Sequence, residues 1–72
     1  MHYLVEVERE TDGRWIAEVP GLPGTLAYGV TRDEASTRAA ALALHVVADR
    51  IQHGELKGLP SISFDTAAPA AE

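Results

Sequence analysis

Apolar and polar residues alternate from position 2 to 10, with Tyr3, Val5 and Val7 on one side of the chain and Leu4, Glu6, Glu8 and Glu10 on the other. A period of two marks a strand that buries one face and wets the other. Positions 14–19 repeat it, Trp15, Ala17 and Val19 alternating with Arg14, Ile16 and Glu18. Asp12-Gly13 between the runs signals a hairpin, and the two apolar sets decide its register. A two-residue loop would set Val7 opposite Glu18. A three-residue loop, Thr11-Asp12-Gly13 with Gly13 left-handed, instead pairs Val5 with Val19, Val7 with Ala17 and Arg9 with Trp15. The longer loop is therefore expected. It also lays Glu6 opposite Glu18, Glu8 opposite Ile16 and Glu10 opposite Arg14. Like charges directly across a strand pair cost from a few tenths to about 1 kcal/mol. Either the cations of a partner relieve that repulsion, or the glutamates simply repel weakly in water.

The next stretch, 19–35, turns twice before it forms anything regular. Pro20-Gly21 and Pro23-Gly24 each join a fixed φ to a residue free of a Cβ, so no strand passes through them. Leu26-Ala27-Tyr28 reads as a short third strand, closed by Gly29. Thr31-Arg32-Asp33-Glu34 is a capping box, its hydroxyl and carboxylate each satisfying an orphan amide of a first helical turn.

From 32 to 53 the chain is rich in Ala and Leu and lacks Pro and Gly, and Gly54 then supplies a left-handed stop. One long helix is predicted. Asp33 and Glu34 in its first turn, with Arg50 and protonated His53 in its last, suit the helix dipole. Its apolar positions form two stripes: Ala35, Ala39, Leu42 and Val46, and Ala40, Leu44, Val47 and Ile51, with Ala43 between. A helix on one sheet needs an apolar arc of only about 100°. The first stripe, with its small side chains, is assigned to the core. The second needs another cover, either a subunit contact through Ala40, Leu44, Val47 and Ile51 or the C-terminal segment folding back.

After Lys57-Gly58-Leu59-Pro60, Ile62-Ser63-Phe64 alternates and reads as a fourth strand, parallel to the first and beside its free edge. The expected fold is α+β, in the order β-β-β-α-β: an antiparallel three-stranded meander, a fourth strand parallel to strand one, and one long helix packed on one face. Positions 1–65 make the domain. The run DTAAPAAE has too little apolar bulk to pack and should fray, leaving 66–72 as a disordered tail.

Composition narrows the function classes. A chain of 72 residues holds one domain near the lower size limit for independent stability, which makes a homo-oligomer, dimer or higher, a reasonable default. There is no cysteine to staple it. No apolar run is long enough to span a bilayer, and the first residues lack the order of a signal peptide, so a cytoplasmic protein with no membrane partner is the simplest expectation. Six Lys plus Arg against 11 Asp plus Glu give a formal charge of −5 without any basic run, which argues against direct nucleic-acid binding.

PGLPG at 20–24, then Gly29-Val30-Thr31-Arg32-Asp33-Glu34-Ala35, with Asp12-Gly13 and Trp15 upstream and a Gly-to-Leu-Pro segment at 54–60, resembles the HicB-like antitoxin domain. The likeness runs over roughly positions 3–64. One departure is Thr25, where that family often has Cys. The resemblance implies a partial ribonuclease-H-like fold and neutralisation of a small HicA-like messenger-RNA-cleaving toxin by occlusion of its active site. Longer members carry a DNA-binding segment after this domain, and this chain stops where one would begin. It is therefore expected to bind a protein and not an operator.

A surviving nuclease site would need carboxylates converging on divalent cations. Glu6, Glu8, Asp49 and Asp65 are the candidates, and the expected register turns both glutamates away from the helix that carries Asp49. His2, His45 and His53 are too scattered in sequence for a metal site, and no Ser or Thr sits in a nucleophile elbow. No catalysis, cofactor or metal is expected. The toxin-binding surface is placed on the outer sheet face at Leu4, Glu6, Glu8, Ile16 and Glu18. A rival reading is a stand-alone oligomeric ligand-binding or structural domain without a toxin.

Overall fold

The computed structural model describes residues 1–56, 58 and 60–67. Its elements are β1 (His2–Arg9), β2 (Trp15–Glu18), β3 (Leu26–Gly29), α1 (Arg32–Gln52) and β4 (Ser63–Ala67). They build one sheet in the order β3-β2-β1-β4, with β1 parallel to β4 and the other pairs antiparallel. The α+β order read from the sequence is the order found. The helix packs mainly on β3 and β2 and less on β1.

The first hairpin takes the longer loop. Glu6 lies opposite Glu18, Val7 opposite Ala17 and Arg9 opposite Trp15, and Gly13 has φ +92°. Asp12 fixes the turn by accepting the Arg14 backbone N–H at 3.0 Å and its guanidinium at 2.8 Å. The backbone N–H of Arg14, foremost, holds the Asp12 carboxyl below its usual range. A lowered pKa means this support is present above the ordinary carboxylate pKa and is lost as pH falls through the lowered one.

The Pro-Gly corner is two linked turns. Leu22 N–H donates to Val19 O at 2.9 Å, and Thr25 N–H to Leu22 O at 3.1 Å. Gly24 at φ +85° after Pro23 makes the second a type II turn. A further bond from Val19 N–H to Thr25 O, 2.9 Å, closes the corner. Its effect is to push Leu22 inward, to 1% exposure, while both prolines stay in water. Thr25 is buried at the same place.

Gly29 ends β3 for a reason other than a turn. A Cβ there would lie 2.5 Å from Ala35 N and 3.0 Å from the Glu34 carbonyl carbon, so the strand end and the first helical turn approach backbone to backbone. Thr31 caps that turn: Glu34 N–H donates to its hydroxyl at 3.1 Å. The Glu34 carboxylate reaches one residue further back than a capping box requires, accepting from Val30 N–H at 3.1 Å. Loss of an N-cap hydroxyl typically costs about 1 kcal/mol. Thr31→Ala should lower stability by about that amount in urea titration, with an unchanged m-value.

At the other end, Gly54 at φ +76° donates to Ile51 O at 3.1 Å and Glu55 N–H to Arg50 O at 2.9 Å. This is a Schellman stop, with His53 as C-cap.

The face that α1 buries differs from the expected one. Ala35, Ala39, Ala43 and Val47 are the buried helical residues, whereas Leu42 is 43% exposed and Val46 only partly buried. The expected core stripe of Ala35, Ala39, Leu42 and Val46 is corrected accordingly. Rows spaced by four drift around a helix, and that drift matches a sheet that twists beneath it. Val47, expected in the second stripe, is 1% exposed and belongs to the core. Ile51 packs partly against the same core, as do Leu56, Ile62 and Phe64. Part of the second stripe is thus covered from within the chain.

Val5, Val7, Ala17, Val19 and Leu22 complete the core from the sheet side. Strand β4 starts one residue later than expected and runs on through Thr66 and Ala67, past the expected boundary at 65. The rest of the expected tail, 68–72, lies outside the described residues. Tyr3 stacks on Phe64 with ring centroids 6.0 Å apart, and its ring also lies close to Gly21, where an added Cβ would come within 3.2 Å of Cδ1. Among the described residues no helix is long and apolar enough to cross a membrane.

Candidate partner-binding face

Strand alternation leaves the sheet face opposite α1 open. The register sorts it into rows: Tyr28, Ile16 and Glu8, then Leu26, Glu18 and Glu6, then Leu4 beside Asp65 and His2 beside Ser63. Leu4, Glu6, Glu8, Ile16 and Glu18 therefore share one face. Two residues that sequence reasoning left out join them, Leu26 and Tyr28, each 39% exposed, beside Leu4 at 45%. The signal was present in parity: with Ala27 turned to the core, its neighbours on β3 must face out.

The face carries the carboxylates of Glu6, Glu8, Glu18 and Asp65 among these apolar side chains. Arg14, just before β2, is already committed, since it lies 4.6 Å from the Tyr28 ring centroid and is paired with Asp12. Glu6 and Glu18 stand directly opposed with no cation among their ion-pair partners in the described residues. Exposed aliphatics, an aromatic and unneutralised carboxylates suit a protein surface rich in Lys and Arg.

One cluster was not legible in the sequence. The β1–β4 register sets His2 opposite Ser63 and brings His2 Nδ1 to 2.9 Å from Ser63 Oγ, with His2 Nε2 at 3.2 Å from Asp65 Oδ2. Ser, His and Asp in hydrogen-bonded sequence raise the question of nucleophilic catalysis. The site is a flat, wet sheet face, with His2 57% and Asp65 73% exposed, and a triad acts only beside a substrate cleft and oxyanion donors. The cluster is a clasp between β1 and β4. His45 on α1 and His53 at its C-cap lie apart from it, and His53 pairs with Asp49 at 3.4 Å. Among the described residues no group of three His, Cys, Asp or Glu side chains can hold a metal ion.

No family model matches the sequence. No curated protein matches it either. The solved structures include a similar one, the N-terminal domain of the Burkholderia pseudomallei antitoxin HicB, with TM-score 0.63 and 23% identity. The fold is that of a HicB antitoxin N-terminal domain. The match covers 79% of this chain and 66% of that one, just under two thirds of its length. The HicB-like architecture implied by the Pro-Gly corner and the capping box is thus present in three dimensions.

Proposed function

We propose that this chain is an antitoxin module that neutralises a small, basic, HicA-like messenger-RNA-cleaving toxin in the cytoplasm by occluding its active site. The observation that carries the reading is the outer sheet face, acidic and apolar together, on a HicB-type fold. A ribonuclease must present Lys and Arg to hold phosphates. A carboxylate-lined sheet can occupy that surface by imitating the charge of the substrate. The module works as a homo-oligomer and holds no operator DNA through these 72 residues, whose formal charge is −5.

The test is the double variant Glu6→Gln, Glu18→Gln. Its fold should be retained and its stability raised by a few tenths to about 1 kcal/mol, because a direct cross-strand repulsion is removed. Binding to the toxin encoded beside it should weaken, mainly through a slower on-rate, and the salt dependence should flatten. Unchanged affinity and salt slope would move the interface elsewhere. Absence of a short basic protein from the neighbouring reading frame, or tight salt-sensitive binding of this chain to its own promoter, would overturn the antitoxin reading itself.

A further inference from the structure

The sheet has two edges, and the structure treats them differently. On β3, the bond from Val19 N–H to Thr25 O sets an alternation that turns the polar groups of Tyr28 outward. Arg38 takes the Tyr28 carbonyl at 3.0 Å, so the guanidinium caps that edge. The strand is only four residues long and begins at the Pro-Gly corner. On β4, Ser63 N–H donates to Met1 O at 3.0 Å, toward β1, so the N–H and C=O of Phe64 and Thr66 point away from the sheet. Among the described residues nothing bonds to them, and Ser63–Ala67 contains no proline, no lysine and one acidic side chain. Protected edges normally carry such devices.

The helix scarcely reaches β4. Beside it runs an open cleft of about 340 Å³ lined by Arg32, Asp33, Ser36 and Thr66. Phe64, half-buried, faces the same side.

We propose that β4 pairs antiparallel with β4 of a second copy of this chain, with Phe64 on the two-fold axis, joining two four-stranded sheets into one of eight. This rests on the homo-oligomer part of the reading above and names its surface. An unpaired edge is complemented by another unpaired edge, and β4 is the uncapped one that each copy offers. Facing side chains must share a side of the sheet, so the axis passes through a residue and not between two. An axis on Asp65 would set two carboxylates in a close, non-hydrogen-bonded pair. The axis on Phe64 gives instead an aromatic pair on the helix side, Ser63 against the other copy's Asp65 on the outer side, and Ile62 against Thr66. The outward groups of both Phe64 residues then bond reciprocally. Such a joint leaves the outer face of β1 and β2 free for a toxin.

Light scattering of the chain at micromolar concentration should give twice 7.7 kDa. Hydrogen exchange should find the amides of Phe64 and Thr66 protected in the dimer and exchanging freely on dilution to monomer. Thr66→Pro removes an outward donor while sparing the bonds to β1, and should give a monomer with unchanged helical circular dichroism. If that variant does not fold, exchange on the natural chain decides. A monomeric natural chain overturns both this and the homo-oligomer reading. A dimer with unprotected Phe64 and Thr66 amides, or one dissolved by Leu44→Glu alone, overturns this surface and leaves the oligomer standing. Protection that appears only when a toxin is added assigns the edge to the toxin and overturns the proposal.

Discussion

Gly29→Ala should lower the melting temperature more than any other single-methyl change in this chain. The added carbon would sit 2.5 Å from the Ala35 amide nitrogen and 3.0 Å from the Glu34 carbonyl carbon, atoms that cannot swing aside as a side chain can. Overpacking costs typically 1–3 kcal/mol, and a backbone obstacle places this case near the top, at about 3 kcal/mol. A domain of this size holds roughly 4–11 kcal/mol in all. Since each kcal/mol is worth about 4–8 °C at this length, a fall of more than about 10 °C is expected by calorimetry. Gly13→Ala is the comparison: φ is +92° but nothing lies within 4 Å of the new carbon. It should cost only the left-handed penalty, about 1–2 kcal/mol. Equal losses at both sites would mean that the strand–helix junction relaxes and that close approach is not what Gly29 secures.

Much of the fold was legible because several local signals agree. The hairpin register followed from Val7 and Glu18 alone, and Thr31, Glu34 and Gly54 bounded the helix. The buried helical face was not legible, since alanine is indifferent to its surroundings and α1 has alanine on nearly every side. Ala35, Ala39 and Ala43 are selected by the twist of the sheet and by the approach at Gly29, both tertiary facts. Leu42 and Leu44, the larger residues a periodicity argument favours, stay 43% and 46% exposed because a bulky side chain would hold the helix off the sheet. The clasp of His2, Ser63 and Asp65 joins residues some sixty positions apart through one parallel register, which no local signal fixes. The outer face was half legible: β1 and β2 gave five of its residues, while Leu26 and Tyr28 waited on the orientation of a four-residue strand.

The resemblance behaved in the same way. At 23% identity the fold is shared while most residues differ, and in this chain the Pro-Gly corner, the capping box and the hairpin turn are the local features that shape it.

Leu22→Ala should therefore cost far more than its place in a loop implies. Two leucines four positions apart make the contrast: Leu22 is 1% exposed between two proline turns, and Leu26 is 39% exposed on the outer face of β3. Truncating a buried leucine removes its transfer free energy and leaves a cavity, together 2–5 kcal/mol. The corner cannot collapse to fill the gap, because bonds from Leu22 N–H to Val19 O and from Val19 N–H to Thr25 O fix its backbone. We expect about 3 kcal/mol for Leu22→Ala by urea titration. Leu26→Ala, on the surface, should stay within about 1 kcal/mol. The two should separate in the opposite sense in toxin binding, where Leu26→Ala weakens the complex and Leu22→Ala, once folded, does not. A loop leucine costing no more than the surface one would show that the corner only reverses the chain. A large cost makes it the floor of the core, and explains why a sequence with two Pro-Gly dipeptides spends a large apolar residue between them.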